Sequence, residues 1–255
     1  MKNNILLFAL AVMSVGCKTP SLSSIDSKTE ISRSLTDYQD SSRNRKIPVA
    51  IFKPTDEKKS TRIPILFSHG YGMNHGDAYI NDYPYLLEAL AEKGYFVVSI
   101  QHELTTDPLL SAATPIRQVR MPNWKQGALN IGFVLNQLKK DYPNLKYNKV
   151  VLIGHSNGGD QSALFTQQHP ELVNKLITMD NRRMDLLRTS KPKIYTLRSN
   201  DHPADDGVLP TLEEQKKYKM VIQPTDINHD RMDKDANAKE RKFIITKILE
   251  YLNEK

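Results

Sequence analysis

The run Lys149 to Ile153 (KVVLI) passes directly into Gly154-His155-Ser156-Asn157-Gly158-Gly159, and a helical pattern leaves that turn toward His169 and Pro170. No other feature constrains the fold as much. A short β-branched run bounded by a glycine turn reads as a buried strand, and a helix that starts at once must double back along it. The two backbones then nearly touch at the corner, which only small residues allow; Gly154, Gly158 and Gly159 supply them around Ser156. Glycine-rich turns of this kind also cradle phosphates, but those end in Lys-Ser/Thr or carry G-x-G-x-x-G, and neither pattern occurs here.

The same alternation extends along the chain. Lys46 to Phe52, Ile63 to Ser68, Tyr95 to Ile100, Leu176 to Met179, Lys193 to Leu197 and the weaker Met220 to Gln223 read as strands. Tyr83 to Lys93, Trp124 to Lys140 and Glu240 to Leu252 read as amphipathic helices, the second with Leu129, Phe133, Val134 and Leu138 as its apolar positions. Strands that alternate with helices give a mostly parallel, doubly wound α/β sheet covered on both faces. At 255 residues, with 39% hydrophobic and 25% charged residues, the chain suits one large domain, expected over residues 36–255. Gln101 to Asn123 holds three prolines and no clean period, and reads as a long loop or small lid.

The first residues differ. Lys2 precedes an apolar run from Ile5 to Val15, too short to span a bilayer and typical of a signal peptide over residues 1–16. It ends at Ser14-Val15-Gly16-Cys17, which resembles a bacterial lipobox, so Cys17 is expected to be lipidated and residues 17–35, rich in Ser, Thr and Lys, to form a tether. The expected location is the bacterial cell envelope, with the chain anchored to a membrane by lipid; the alternative is a soluble periplasmic or secreted protein. Cys17 is the only cysteine, which excludes intramolecular disulfides and cysteine metal sites. The formal charge of +7 is spread over scattered Lys and Arg without interleaved aromatics, so no nucleic-acid partner is expected.

Gly154 to Gly158 fits G-x-S-x-G, the turn that lifts a serine above a sheet as a nucleophile. A serine hydroxyl needs a base to take its proton, supplied by a histidine later in the chain at the same sheet end. His229, in Asp226-Ile227-Asn228-His229-Asp230 after the last strand, holds that position; His155, His169 and His202 fit it less well. The acid that orients the imidazole should follow a strand between Ser156 and His229. Asp201, four residues past Leu197, is placed first, Asp180 at the end of the preceding strand second, and Asp205 and Asp206 last. His69-Gly70-Tyr71-Gly72 follows a buried strand, and Tyr71 and Asn157 are the expected backbone donors of an oxyanion hole.

From about Asp40 onward, "RNRKIPVAIFKP", "PILFSHGYG", "LLEALAEKGYFVVSIQHE", "GHSNGG", "LRSNDHP" and "INHDRM" together resemble α/β-hydrolases of the platelet-activating-factor acetylhydrolase and dienelactone-hydrolase-like group. The resemblance implies a metal-free serine esterase without cofactor, acting on small-molecule or lipid-like esters through Ser156, His229 and Asp201. Ser156 in place of a cysteine argues against a true dienelactone hydrolase, and Asn157, where the acetylhydrolases often carry Phe, leaves the acyl preference open. Acyl transfer or peptide hydrolysis with the same residues, and a non-catalytic binding lipoprotein, are the rival readings. Only about a dozen residues separate Asp180 from the next strand, too few for a large cap domain. Arg182 and Arg183 lie at the ligand-binding end of their strand; a structural ion pair is the first reading and a contact to an anionic substrate the second.

Overall fold

The computed structural model describes residues 29–254, so the expected signal peptide and the lipidation at Cys17 lie outside the described residues. Eight strands form one sheet in the order β1-β2-β4-β3-β5-β6-β7-β8. β1 (Ile31–Asp40) and β2 (Arg45–Pro54) make an antiparallel hairpin, and β2 joins β4 antiparallel. β3 (Pro64–Ser68), β4 (Phe96–Ile100), β5 (Val151–His155), β6 (Lys175–Met179), β7 (Lys193–Arg198) and β8 (Val221–Pro224) are mutually parallel. The central strands read as unbroken apolar runs because both of their faces are covered.

The helices are α1 (Ala78–Asn81), α2 (Pro84–Glu92), α3 (Ile116–Asp141), α4 (Ser156–Gln168), α5 (Leu212–Tyr218) and α6 (Ala238–Asn253). One apolar core lies between the sheet and α3 and α4, with Trp124, Ile131, Leu138 and Phe165 at its centre. The other lies under α2 and α6, where Leu86, Leu87, Leu90, Ile244 and Ile248 are fully buried. Each such side chain contributes about 1.5 to 3 kcal/mol relative to exposure. Among the described residues no helix is long and apolar enough to cross a membrane.

Three expectations need correction. Folded structure begins at Ile31, inside the segment read as a tether, because β1 pairs with β2 over its whole length while most of its residues, Leu35 among them, stay exposed. An edge strand needs no apolar alternation when its partner supplies the hydrogen bonds. The last third of the supposed lid belongs to α3, which starts at Ile116 and runs through Pro122. Its buried stripe is Trp124, Ala128, Ile131, Leu135 and Leu138, whereas Leu129 faces solvent. The burial of that stripe outweighs the backbone bond that the proline forfeits. α5 completes the set; its capping box between Thr211 and Glu214 is the local signal that marks it.

In the sheet the strand order reverses between β3 and β5, and crevices that bind ligands open at such switch points beyond the carboxyl ends of the strands. Ser156 stands there, at the end of β5, beside the loop that follows β3.

Candidate active site

Ser156 is the first residue of α4 and has φ 50°, a left-handed conformation that costs a residue with a Cβ. The surrounding turn enforces it. A Cβ on Gly154 would stand 2.5 Å from the carbonyl oxygen of Gly158, and one on Gly158 would collide with the carbonyls of Ser68 and His69. The two glycines let β5, α4 and the β3 loop converge, and their convergence aims the serine side chain out of the sheet.

The Ser156 hydroxyl donates to His229 Nε2 at 2.8 Å. His229, buried at the start of a short 3-10 turn (His229–Arg231), donates from Nδ1 to Asp180 Oδ2 at 2.5 Å. That carboxylate fixes the tautomer, since the nitrogen facing it must carry the proton. Asp180 is fully buried, directly after β6, and also has a left-handed φ of 57°. Its Oδ1 accepts from the Ser199 N–H at 3.0 Å and is ion-paired to Arg198 at 2.7 Å; its Oδ2 accepts from the Ser199 hydroxyl at 2.7 Å. Burial alone would raise its pKa, but the His229 hydrogen bond, the Arg198 charge and Ser199 together hold it below the ordinary carboxylate value.

Here the expectation for the acid is corrected. Asp201 does not reach the imidazole; its Oδ1 accepts from the His229 backbone N–H at 2.8 Å. The loop after β7 bends back onto the His229 loop, where the Asn200 N–H donates to the Ile227 carbonyl at 3.2 Å, and this presents Asp201 to the main chain. Asp205 pairs with Arg183, and Asp206 is exposed.

Three histidines crowd the site. The His229 ring lies between those of His155 and His202, with centroids 4.8 and 5.0 Å away. His155 Nδ1 accepts from the Tyr83 hydroxyl at 2.7 Å, and burial, then the neighbouring His229, pushes its pKa down to about 3. It therefore stays neutral and adds no charge beside His229. The same Tyr83 oxygen accepts from the Gly70 N–H at 3.0 Å. His69 braces the loop as well: Nδ1 donates to the Gly70 carbonyl at 2.6 Å and Nε2 accepts from the His102 N–H at 3.1 Å. With both polar backbone groups of Gly70 occupied, the Tyr71 N–H is left without an intramolecular acceptor among the described residues.

Asn157 follows Ser156 in the first turn of α4, where backbone N–H groups lack helical acceptors. Its side chain is fully engaged. Oδ1 accepts from Trp124 Nε1 at 2.8 Å, and Nδ2 donates to Glu103 Oε1 and Asn123 Oδ1, each at 2.9 Å. Gln161 joins through a 3.0 Å bond to Glu103 Oε1. This buried network ties the turn to α3 and to the end of β4. Sequence reasoning missed it, although the polar triplet Gln101-His102-Glu103 directly after an apolar strand signals buried polar chemistry. Arg198 and Tyr83 were also passed over. Among the described residues no cluster of three His, Cys, Asp or Glu stands ready to hold a metal ion.

The chain has the α/β-hydrolase fold. A Klebsiella pneumoniae protein provisionally described as a dienelactone hydrolase superposes with TM-score 0.64 over 89% of this chain and all of its own, at 10% identity. A bacterial heroin esterase superposes with TM-score 0.62 over 87% of this chain and 83% of its own, at 11% identity. A promiscuous dienelactone-hydrolase-like phosphotriesterase from metagenomic libraries gives 0.59 over 87% and 97%, at 14% identity. A mouse serine hydrolase-like protein is 27% identical over 108 residues, 40% of this chain and only 34% of that relative's length. No protein-family model matches the chain. The resemblance to dienelactone-hydrolase-like esterases read from the sequence therefore agrees with the fold of these structures.

Proposed function

We propose that the protein is a carboxylic ester hydrolase that acts through an acyl-enzyme at Ser156. One observation carries this reading: the unbroken hydrogen-bonded line from Ser156 through the His229 ring to the buried, ionised Asp180. The esterases and hydrolases among its structural neighbours support it at the level of fold.

As Ser156 Oγ attacks the ester carbonyl, its proton passes to His229 Nε2, and Asp180 stabilises the imidazolium that forms. The carbonyl oxygen becomes an oxyanion, for which the Tyr71 and Asn157 backbone N–H groups are the available donors, each worth roughly a hundredfold to a thousandfold in rate. Collapse of the tetrahedral intermediate breaks the bond to the alcohol oxygen, which takes the proton from Nε2. Water then repeats the sequence on the acyl-serine and releases the acid. The short β6 to β7 connection leaves no room for a large cap, which favours small or surface-accessible esters.

The test is the hydrolysis of 4-nitrophenyl esters of increasing acyl length. Ser156→Ala should lower turnover by about a millionfold, the scale observed when a serine hydrolase loses its nucleophile. Wild-type protein that hydrolyses none of these esters, or an active Ser156→Ala variant, would refute the reading.

A further inference from the structure

The loop after Asp180 carries two arginines whose surroundings differ. Arg183 is ion-paired with Asp205. Arg182 has no hydrogen-bond or ion-pair partner for its guanidinium among the described residues, and its Nε is buried without an acceptor. The guanidinium is therefore uncommitted within the described chain, and its donors are open to an acceptor from outside it.

The loop is pinned close to the nucleophile. Asp180 holds one end on the His229 ring, and at the other end the backbone N–H groups of Arg182, Arg183 and Met184 donate to Asp160 Oδ1 at 3.2, 2.9 and 2.8 Å. Asp160 is one helical turn past Ser156 in α4. A second arginine approaches from α3. Arg120 precedes Trp124 by four residues and so shares its helix face, and Trp124 Nε1 holds the side chain of Asn157, the neighbour of Ser156. Arg120 Nε donates to the Ser111 carbonyl at 3.1 Å, which steadies the guanidinium while leaving its fork free of carboxylates.

Charge accounting in this wall leaves an excess of cations. Asp185 is matched by Arg117 at 3.0 Å and Asp205 by Arg183; the buried Asp160, its Oδ1 filled by three backbone donors, offsets the remaining cations only from beyond contact distance. Arg120 and Arg182 remain without a carboxylate. Burial first, then the like charges of Arg183 and Arg182, depress the pKa of Arg120 against the opposing charge of Asp160, which places these groups within electrostatic reach of one another. Planar guanidinium forks suit a carboxylate or phosphate, which each can grip with two parallel hydrogen bonds.

We propose that Arg120 and Arg182 form an anion subsite beside Ser156, and that the ester cleaved here carries a separate carboxylate or phosphate group. The inference rests on the esterase reading above and names its substrate class. It also accounts for two arginines, one on α3 and one on the loop after β6, that the chemistry at the carbonyl does not use.

The test compares kcat/KM for matched ester pairs on the full chain: 4-acetoxybenzoate against 4-acetoxybenzamide, mono-4-nitrophenyl glutarate against 4-nitrophenyl valerate, and 4-acetoxyphenyl phosphate against 4-acetoxyanisole. The first and third pairs place the anion on the alcohol side, the second on the acyl side. At least one pair should favour the anionic ester by roughly tenfold or more, mainly through KM. That ratio should collapse toward unity in Arg182→Gln and Arg120→Gln. It should persist in Lys125→Gln, which removes an exposed charge from α3 and controls for the field of the whole protein. Neutral esters preferred in all three pairs, or a preference that survives both arginine substitutions, would overturn the subsite. If no ester is cleaved, the esterase reading fails, and the subsite is judged by binding: glutarate or phenyl phosphate should raise the melting temperature of wild-type protein and not of Arg182→Gln, and the absence of that difference overturns it.

Discussion

Two loops at the carboxyl edge of the sheet each bring an aspartate to His229, and they use it in opposite ways. After β6, Asp180 turns at once into the left-handed region, is completely buried, and gives its carboxylate to the imidazole ring. After β7, the chain runs three residues further before Asp201 meets the histidine, and there it takes the main-chain N–H from a partly exposed position. The first aspartate orients the ring and fixes its tautomer; the second holds the main chain that carries it. Proximity to the histidine therefore does not identify the aspartate that orients its ring, whereas the atom contacted and the degree of burial do.

The largest effect that can break this comparison is expected from Asp180→Asn. An amide cannot stabilise the imidazolium and can impose the wrong tautomer, a change that costs about ten-thousandfold in turnover in a serine protease. It also leaves the buried Arg198 guanidinium without its counter-ion, for which the cost is about 3 to 5 kcal/mol of stability. Turnover should therefore be referred to the folded fraction, measured by circular dichroism. Near-normal turnover per folded molecule would move the orienting role away from Asp180.

Asp201→Asn should have a far smaller effect, because the amide oxygen can still accept the His229 N–H. We expect turnover within a few-fold of wild type and a change chiefly in acid stability. Burial would raise the Asp201 pKa, but the His229 N–H together with His202 and Ser199 holds it at about 2. The folded value thus lies below the unfolded value of about 3.9. Its contribution is present above about pH 4 and is lost as the pH falls through about 2, since the unfolded chain binds the proton first. Melting temperatures measured between pH 5 and pH 2 should fall less steeply in Asp201→Asn than in wild type. An unchanged acid limb would show that the carboxylate is not engaged as described.

The same contrast explains what could be read from the sequence. Ser156 and His229 were legible because their signals are local: a strand entering a glycine-cornered turn, and a histidine after the last strand. The parallel core strands were legible for the same reason, as continuous apolar runs. The choice between Asp180 and Asp201 was not, because it depends on a left-handed backbone at residue 180 and on a loop folding back at residue 200, neither of which residue type dictates. The start of α3 was hidden by Pro122, and β1 by a polar edge that alternates with nothing. In each case tertiary contact decided against local propensity. The Asn157–Glu103–Trp124 network joins residues far apart in sequence and has no periodic signature.

The central claim, that His229 oriented by Asp180 activates Ser156, is tested most directly by trapping the acyl-enzyme. Wild-type and Asp180→Asn proteins would be mixed with excess 4-nitrophenyl acetate, quenched in acid within milliseconds to seconds, and mapped by peptide mass spectrometry. Wild type should acquire an acetyl group on Ser156 at a rate that accounts for turnover, and Asp180→Asn should acquire it slower by about the factor lost in turnover. Turnover of the ester with no acetyl group passing through Ser156, or equal acylation rates in the two folded proteins, would contradict the account.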